Sequence, residues 1–262
     1  MSSASVNGVQ LAYDDTQGNG PPVVLSHGFL MDRTMFEPQV EALRPHFRVI
    51  TWDSRGHGDT VDDGRPFSYW DLASDCVALL DHLGVERAVV GGMSQGGFVA
   101  LRVALTAPAR VRGLILLDTQ AGTEDPDVVP LYQAMLDEWV SVGPSDEIAE
   151  VVSGLIIGEP ELSKTWVPRW RARPHTSIAM PGQALITRDD ITGRLGEIAA
   201  PALVVHGTAD LSITMEKAQG LATGLPHSGE VVAIEGGTHS ANLTHPEPVN
   251  RAILQFLAGL PA

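Results

Sequence analysis

The stretch Ala88-Val89-Val90-Gly91-Gly92-Met93-Ser94-Gln95-Gly96-Gly97-Phe98 decides how the chain reads. A β-branched apolar run stops at two glycines, one serine follows, and after two more glycines apolar residues recur at helical spacing as Phe98, Leu101 and Leu105. The pattern predicts strand, sharp turn and helix, with Ser94 at the apex. A serine in such a turn sits in strained backbone, and bulk two positions before or after it would collide with the neighbouring strand or helix. Gly92 and Gly96 remove that bulk. The hydroxyl is thereby pushed out at the carboxyl end of a sheet, beside a helix amino end whose free N–H groups can face a developing negative charge. Five-residue G-x-S-x-G matches recur by chance in unrelated chains, so the flanking strand and helix are what mark Ser94 as a nucleophile rather than an idle turn serine.

On both sides of this turn, strands and helices alternate. Val6 to Tyr13 reads as two extended pieces about an Asn7-Gly8 turn. Val23-Val24-Leu25, Phe47 to Trp52, Gly113 to Leu117, Ala202 to Val205 and Val231 to Ile234 are short apolar runs of the kind that fill a sheet buried on both faces. Helical patterns lie between them, including Tyr69 to Leu83, Met215 to Ala222 and Pro246 to Leu257. This order implies an α/β fold, a doubly wound and mostly parallel sheet with helices on both faces. The rhythm breaks between about Gly122 and Arg194, where only helical patterns occur, as in Leu131 to Val140 and Ile148 to Ile157. The expected organisation is a core of residues 1–121 and 195–262 carrying a helical cap, or lid, inserted at 122–194.

Composition bounds the function. The 262 residues are enough for one large domain, and the formal net charge of −15 argues against nucleic acid or anionic membrane surfaces as partners. Cys76, the single cysteine, falls in an apolar helical pattern and reads as a buried structural thiol. The first residues carry neither a basic patch nor an apolar core, and no window holds about 18 uninterrupted apolar residues, so a soluble, cytoplasmic protein is expected. There is no phosphate-loop motif, no paired cysteines, no zinc-type H-E-x-x-H and no early G-x-G-x-x-G. Neither cofactor nor metal is expected.

A serine near neutral pH needs a base, and the base needs an acceptor that fixes its tautomer. In a doubly wound sheet these groups collect at the carboxyl ends of strands. His206-Gly207-Thr208-Ala209-Asp210 supplies an acid and Gly236-Gly237-Thr238-His239 a histidine, so Ser94, Asp210 and His239 occur in the order of this architecture. Asp118 also ends a strand and competes with Asp210, while His27, His57 and His245 compete with His239. His27 and His57 sit in glycine turns and read as loop-holding groups; Asp53 and Asp118 read also as helix caps. The Gln95 N–H and, from the loop after Val23-Val24-Leu25, the Phe29 N–H are the expected oxyanion donors.

Together, His27-Gly28-Phe29, Asp53-Ser54-Arg55-Gly56-His57-Gly58, Gly92 to Gly97, Gly207-Thr208-Ala209-Asp210 and Gly237-Thr238-His239 resemble the α/β-hydrolase fold superfamily over nearly the whole chain. The resemblance implies an eight-stranded sheet, Ser94 as nucleophile, His239 as base, Asp210 as its partner, and the Phe29 and Gln95 amides as oxyanion hole. Within it the chain resembles small bacterial carboxylesterases and the 3-oxoadipate enol-lactonase group, and His239-Ser240-Ala241-Asn242-Leu243, followed by His245-Pro246-Glu247, is similar to the pattern those lactonases carry at the catalytic histidine. Gln95 and Thr214 depart from that group, which usually carries Met or Leu and Pro there. Ser94 stands where epoxide hydrolases and haloalkane dehalogenases carry aspartate, Ser240 where carbon–carbon bond hydrolases carry tryptophan, and Leu30 where perhydrolases often carry proline.

The implied function is a serine hydrolase of small esters or lactones, acting as a monomer or small homo-oligomer. Perhydrolase or lyase chemistry on the same residues, or a small-molecule receptor, are the alternatives. Leu30, Trp139, Trp166 and Trp170 are the candidate pocket residues, the tryptophans reading equally as cap core. Arg169, Arg171 and Arg173 read as a solvated face or a carboxylate-binding row.

Overall fold

The computed structural model describes residues 1–261. Its sheet has eight strands in the order β1-β2-β4-β3-β5-β6-β7-β8. The hairpin of β1 (Ser2–Val6) and β2 (Val9–Asp15) turns at Asn7 and Gly8, both at positive φ, and joins the sheet antiparallel through β4 (Arg48–Trp52). From β4 through β3 (Pro22–Ser26), β5 (Ala88–Met93), β6 (Val111–Leu117), β7 (Ala202–Gly207) and β8 (Val232–Ile234) every pairing is parallel. The doubly wound, mostly parallel eight-stranded sheet expected from the alternation is the architecture found.

The apolar runs are continuous because both faces of the sheet are covered. Along the strands the side chains alternate: Val24, Val90, Leu114, Leu116 and Val204 enter one buried cluster, and Val23, Val89, Ile115, Leu203 and Val205 another. The first cluster includes residues of α2 (Tyr69–His82) and α3 (Gln95–Thr106), together with Ala218 and Leu221 of α8 (Met215–Gly224). The second takes in Leu43 of α1 (Glu37–Leu43) and Ile253 and Leu257 of α10 (Pro246–Gly259), the helix that follows the single turn α9 (Ala241–Thr244). Cys76 lies inside the first cluster, and burial pushes its thiol up to about 12. It is inert packing at neutral pH.

Between β6 and β7 the chain makes α4 (Val129–Val142), α5 (Asp146–Ile156), α6 (Pro160–Ala172) and α7 (Ala179–Ile186), with no strand. Leu136, Trp139, Ile148, Val152, Trp166 and Trp170 from these helices continue the second cluster. Among the described residues no helix is long and apolar enough to cross a membrane.

The glycines flanking Ser94 work by absence of bulk. A Cβ on Gly96 would overlap the Ser26 carbonyl of β3, and one on Gly92 would run into the main chain of Gly96 and Ser26. These obstacles are backbone and cannot turn aside. Gly220 on α8, by contrast, has nothing within 4 Å of where a Cβ would stand. Gly96→Ala is therefore expected to lower stability by about 1–3 kcal/mol, roughly 2–6 °C in Tm. Gly220→Ala is expected to raise stability by about 0.5–1 kcal/mol. Thermal unfolding of both variants against the parent checks the contrast; equal shifts would contradict the close approach.

Candidate active site

Ser94 occupies the apex between β5 and α3 at φ 52 and ψ −114. A non-glycine residue there costs about 1–3 kcal/mol of backbone strain, which persists only where surroundings enforce it. They do so here: the Ser94 N–H donates to Leu117 O at 2.9 Å, and the Thr119 hydroxyl donates to Ser94 O at 2.7 Å. Gly97 N–H also donates to Ser94 O, at 2.9 Å.

Asp210 and His239 come from the loops after β7 and β8, and meet at 2.8 Å between Oδ2 and Nδ1. The other Asp210 oxygen accepts from the amides of Ser212 at 2.8 Å and Ile213 at 3.0 Å. Burial alone would raise the Asp210 pKa; the adjacent His239, with its hydrogen bond, and the Ile213 amide outweigh that and hold it below the ordinary carboxylate value. An ionised Asp210 is an acceptor only, so the proton of neutral His239 belongs on Nδ1 and its Nε2 lone pair is free. His239 and Ser94 line one cavity, although no hydrogen bond joins the hydroxyl to the ring in this structure. Such bonds are often loose without substrate and tighten around it.

The competing histidines are placed elsewhere. His27 Nε2 accepts from Ser54 N–H at 3.0 Å, and His57 Nε2 accepts from Leu30 N–H at 3.2 Å. The two rings lie 4.8 Å apart and tie the loop after β3 to the loop after β4. Burial lowers both pKa values, that of His57 well below the usual value, and the neutral rings act as acceptors. His245 is half-buried beside Thr244 and does not line the Ser94 cavity. In the same loops Asp53 caps no helix; it pairs with Arg33 and accepts from the amides of Arg33 and Asp59. Phe29 does line the cavity, and its backbone N–H, like that of Gln95 at the first position of α3, donates to no protein acceptor.

Asp118 ends β6 at φ 47, and its carboxyl is turned away from His239 onto the amides of Gly207 at 2.8 Å and Ala241 at 3.3 Å. It forms a buried cluster with His206 and Asp210, whose polar atoms lie within 4.8 Å of one another. Most of these atoms are already engaged: His206 Nε2 donates to Ile213 O at 2.8 Å, and Asp210 holds His239. Burial, and then the nearby Asp210 charge, raise the Asp118 pKa well above the usual value. Burial lowers that of His206. The shifts favour the neutral forms of Asp118 and His206 and the ionised form of Asp210 above them.

The cavity has about 120 Å³ of free volume. Leu30 and Trp139 are part of its wall; Trp166 and Trp170 are not, and instead border a smaller cavity of about 20 Å³ with Arg169 and Arg173. The Trp139 and Trp170 rings lie 6.0 Å apart, tilted at 53°, so Trp170 packs against α4. The arginine row is dispersed: Arg169 donates to the Thr34 hydroxyl, Arg171 pairs with Asp146, and Arg173 donates to the carbonyls of Gly56 and Gly58. The rest of the Ser94 cavity comes from residues the sequence did not single out, among them Glu124, Tyr132, Leu136, Ile178 and Ile213. Their only sequence signal was position, in the helical segment and in loops past strand ends.

The family model of the alpha/beta hydrolase fold matches residues 21–246. The chain belongs to this family. Putative carbamate hydrolase RutD of Agrobacterium fabrum is 29% identical over 255 residues, covering 94% of this chain and 96% of that protein. The pimeloyl-[acyl-carrier protein] methyl ester esterase of Xanthomonas campestris is 29% identical over 267 residues, covering 94% and 99%. A thermophilic esterase from Thermogutta terrifontis superposes with a TM-score of 0.88 at 31% identity, covering 98% of this chain and 97% of that one. The enol-lactonase from Burkholderia xenovorans superposes at 0.89 with 27% identity, covering 98% and 99%. The likeness to esterases and enol-lactonases expected from the sequence is found, and this alpha/beta hydrolase has esterase- and lactonase-like relatives.

Asp118 supplies a pH test of the cluster. Its raised pKa means that the folded chain keeps a proton which the unfolded chain releases near pH ~3.9. Stability is lost as pH rises from there through the folded pKa, because the unfolded state binds fewer protons in that window. Asp118→Asn removes the titration, so the Tm of the variant minus that of the parent is expected to climb as pH rises across the window. A flat difference would contradict a neutral Asp118.

Proposed function

We propose that the protein is a serine hydrolase of small carboxylic esters or lactones, working through an acyl-enzyme on Ser94. The observation that carries this reading is the oriented His239–Asp210 pair opening, together with Ser94, onto one apolar cavity. The hydroxyl oxygen of Ser94 attacks the substrate carbonyl carbon while His239 Nε2 takes its proton. The carbonyl oxygen becomes negative, and the free amides of Phe29 and Gln95 stabilise it. The alcohol leaves with the proton from His239. Water, deprotonated by the same ring, then displaces the acyl group and returns Ser94 to its starting state. Asp210 holds the ring in the correct tautomer and stabilises its cation.

The helices α4 to α7 act as the cap: α4, α5 and α7 supply cavity wall, including Trp139, Leu155 and Ile186. Trp166 and Trp170 of α6 support that wall from behind. A dry apolar cavity of about 150 Å³ holds a benzene-sized molecule. At about 120 Å³ the space here fits a short acyl chain or small ring.

The test is hydrolysis of p-nitrophenyl esters from acetate to dodecanoate, and of five- to seven-membered lactones. Activity is expected to be highest on short chains and to fall for dodecanoate. Ser94→Ala is expected to remove at least about a thousandfold of kcat, and Asp210→Asn on the order of 10⁴-fold, with circular dichroism unchanged. Turnover that survives Ser94→Ala would overturn the acyl-enzyme reading.

A further inference from the structure

Among the described residues, one charged residue lines the Ser94 cavity besides the catalytic candidates, and it is an acid. Glu124 lies in the loop after β6, and its side chain is 10% exposed. One of its oxygens accepts from Arg188 at 2.8 Å; the other has no protein donor. The side chain as a whole is largely buried, and its second oxygen, which faces the cavity without a protein donor, is open to a hydrogen-bond donor brought by a ligand.

Arg188 is fixed behind the wall. Its Nε donates to Gly122 O at 3.0 Å and its Nη1 to Leu185 O at 2.9 Å, and the guanidinium lies 4.4 Å from the centre of the Phe98 ring. Its Nη2 is buried without a partner. Phe98 borders the cavity, whereas Arg188 does not. The cation therefore holds Glu124 in place while Glu124 presents its free oxygen. Tyr132, also on the wall, feels the same charge: burial first, and Glu124 next, raise its phenol pKa.

We propose that Glu124, anchored by Arg188, is the specificity-determining residue of the acyl cavity, selecting acyl groups that carry a hydroxyl or other hydrogen-bond donor and rejecting those that carry a second carboxylate. The inference rests on the serine-hydrolase reading and adds its substrate class. A donor group satisfies the free oxygen of Glu124, a methyl leaves it bare, and a carboxylate meets it with like charge. The protein's charge of −15 acts in the same direction on anionic substrates at longer range.

Three methyl esters of nearly equal length separate these cases: methyl 6-hydroxyhexanoate, its isostere methyl heptanoate, and monomethyl adipate. Acid release is followed by pH-stat at neutral pH, with fluorophosphonate labelling of Ser94 in parallel. In the parent protein kcat/KM is expected to favour the hydroxy ester over heptanoate by about tenfold or more, and heptanoate over adipate by a similar factor. In Glu124→Gln the hydroxy-to-adipate ratio is expected to fall by about a hundredfold, because the charge is gone and Arg188 is no longer neutralised. Glu124→Asp, which keeps the charge, is expected to keep the rejection of adipate. The parent's own ratios suffice if the Gln variant does not fold. Turnover with adipate equal to or faster than the hydroxy ester, or ratios unchanged in a folded Gln variant, overturns the role of Glu124 alone. No turnover of any ester, with Ser94 unlabelled, overturns the hydrolase reading and this inference with it.

Discussion

The close approach of α3 to the end of β3 is the constraint on which the site depends. Gly96 lies against the Ser26 carbonyl, and Ser94 is thereby held at positive φ with its own amide and carbonyl both tied down. Strain of this kind is tolerable only when several hydrogen bonds over-determine it. The same approach sets the first free amide of α3 beside the hydroxyl and leaves the loop after β3 near enough to offer Phe29. The placement of the Ser94 hydroxyl and of the free Gln95 amide follows from one backbone packing.

Around this turn, buried polar groups are arranged in layers. His27 and His57, whose pKa values burial lowers, act as acceptors that pin the loops after β3 and β4 to each other. On the other side, His239 and its hydrogen bond favour the ionised form of Asp210, while burial pushes the Asp118 pKa up and that of His206 down beneath it. Two adjacent buried carboxylates do not both ionise at low cost, and the upward shift of Asp118 favours leaving the charge on Asp210 next to His239. Glu124 carries its own counter-ion in Arg188.

Much of this was legible in the sequence because periodicity and turn chemistry are local. The Ala88 to Phe98 stretch reads as strand, turn and helix, and the apolar runs alternate between the two buried clusters as a sheet covered on both faces requires. The choice between Asp210 and Asp118 was not local. Both follow strands, and only the structure separates them: Asp210 meets His239, whereas Asp118, at positive φ, places its carboxyl on the Gly207 and Ala241 amides. The tryptophans divided for a similar reason: Trp139 on α4 borders the cavity, whereas Trp166 and Trp170 on α6 face the helices behind it. Pro160 at the start of α6 and Pro168 inside it obscured that helix in the sequence. Glu124 gave no signal, since a loop acid after a strand is commonplace until Arg188, distant in sequence, is seen to hold it.

Catalysis through a covalent acyl group on Ser94 is the step on which every functional statement above rests. Rapid-quench intact-mass spectrometry during turnover of p-nitrophenyl butyrate, followed by peptide mapping, probes it without intermediaries. A transient mass increase of one butyryl group is expected, formed within the burst of p-nitrophenol and mapped to Ser94. A burst-free time course with unmodified protein throughout turnover, or an acyl group mapped to another residue, would refute the acyl-enzyme.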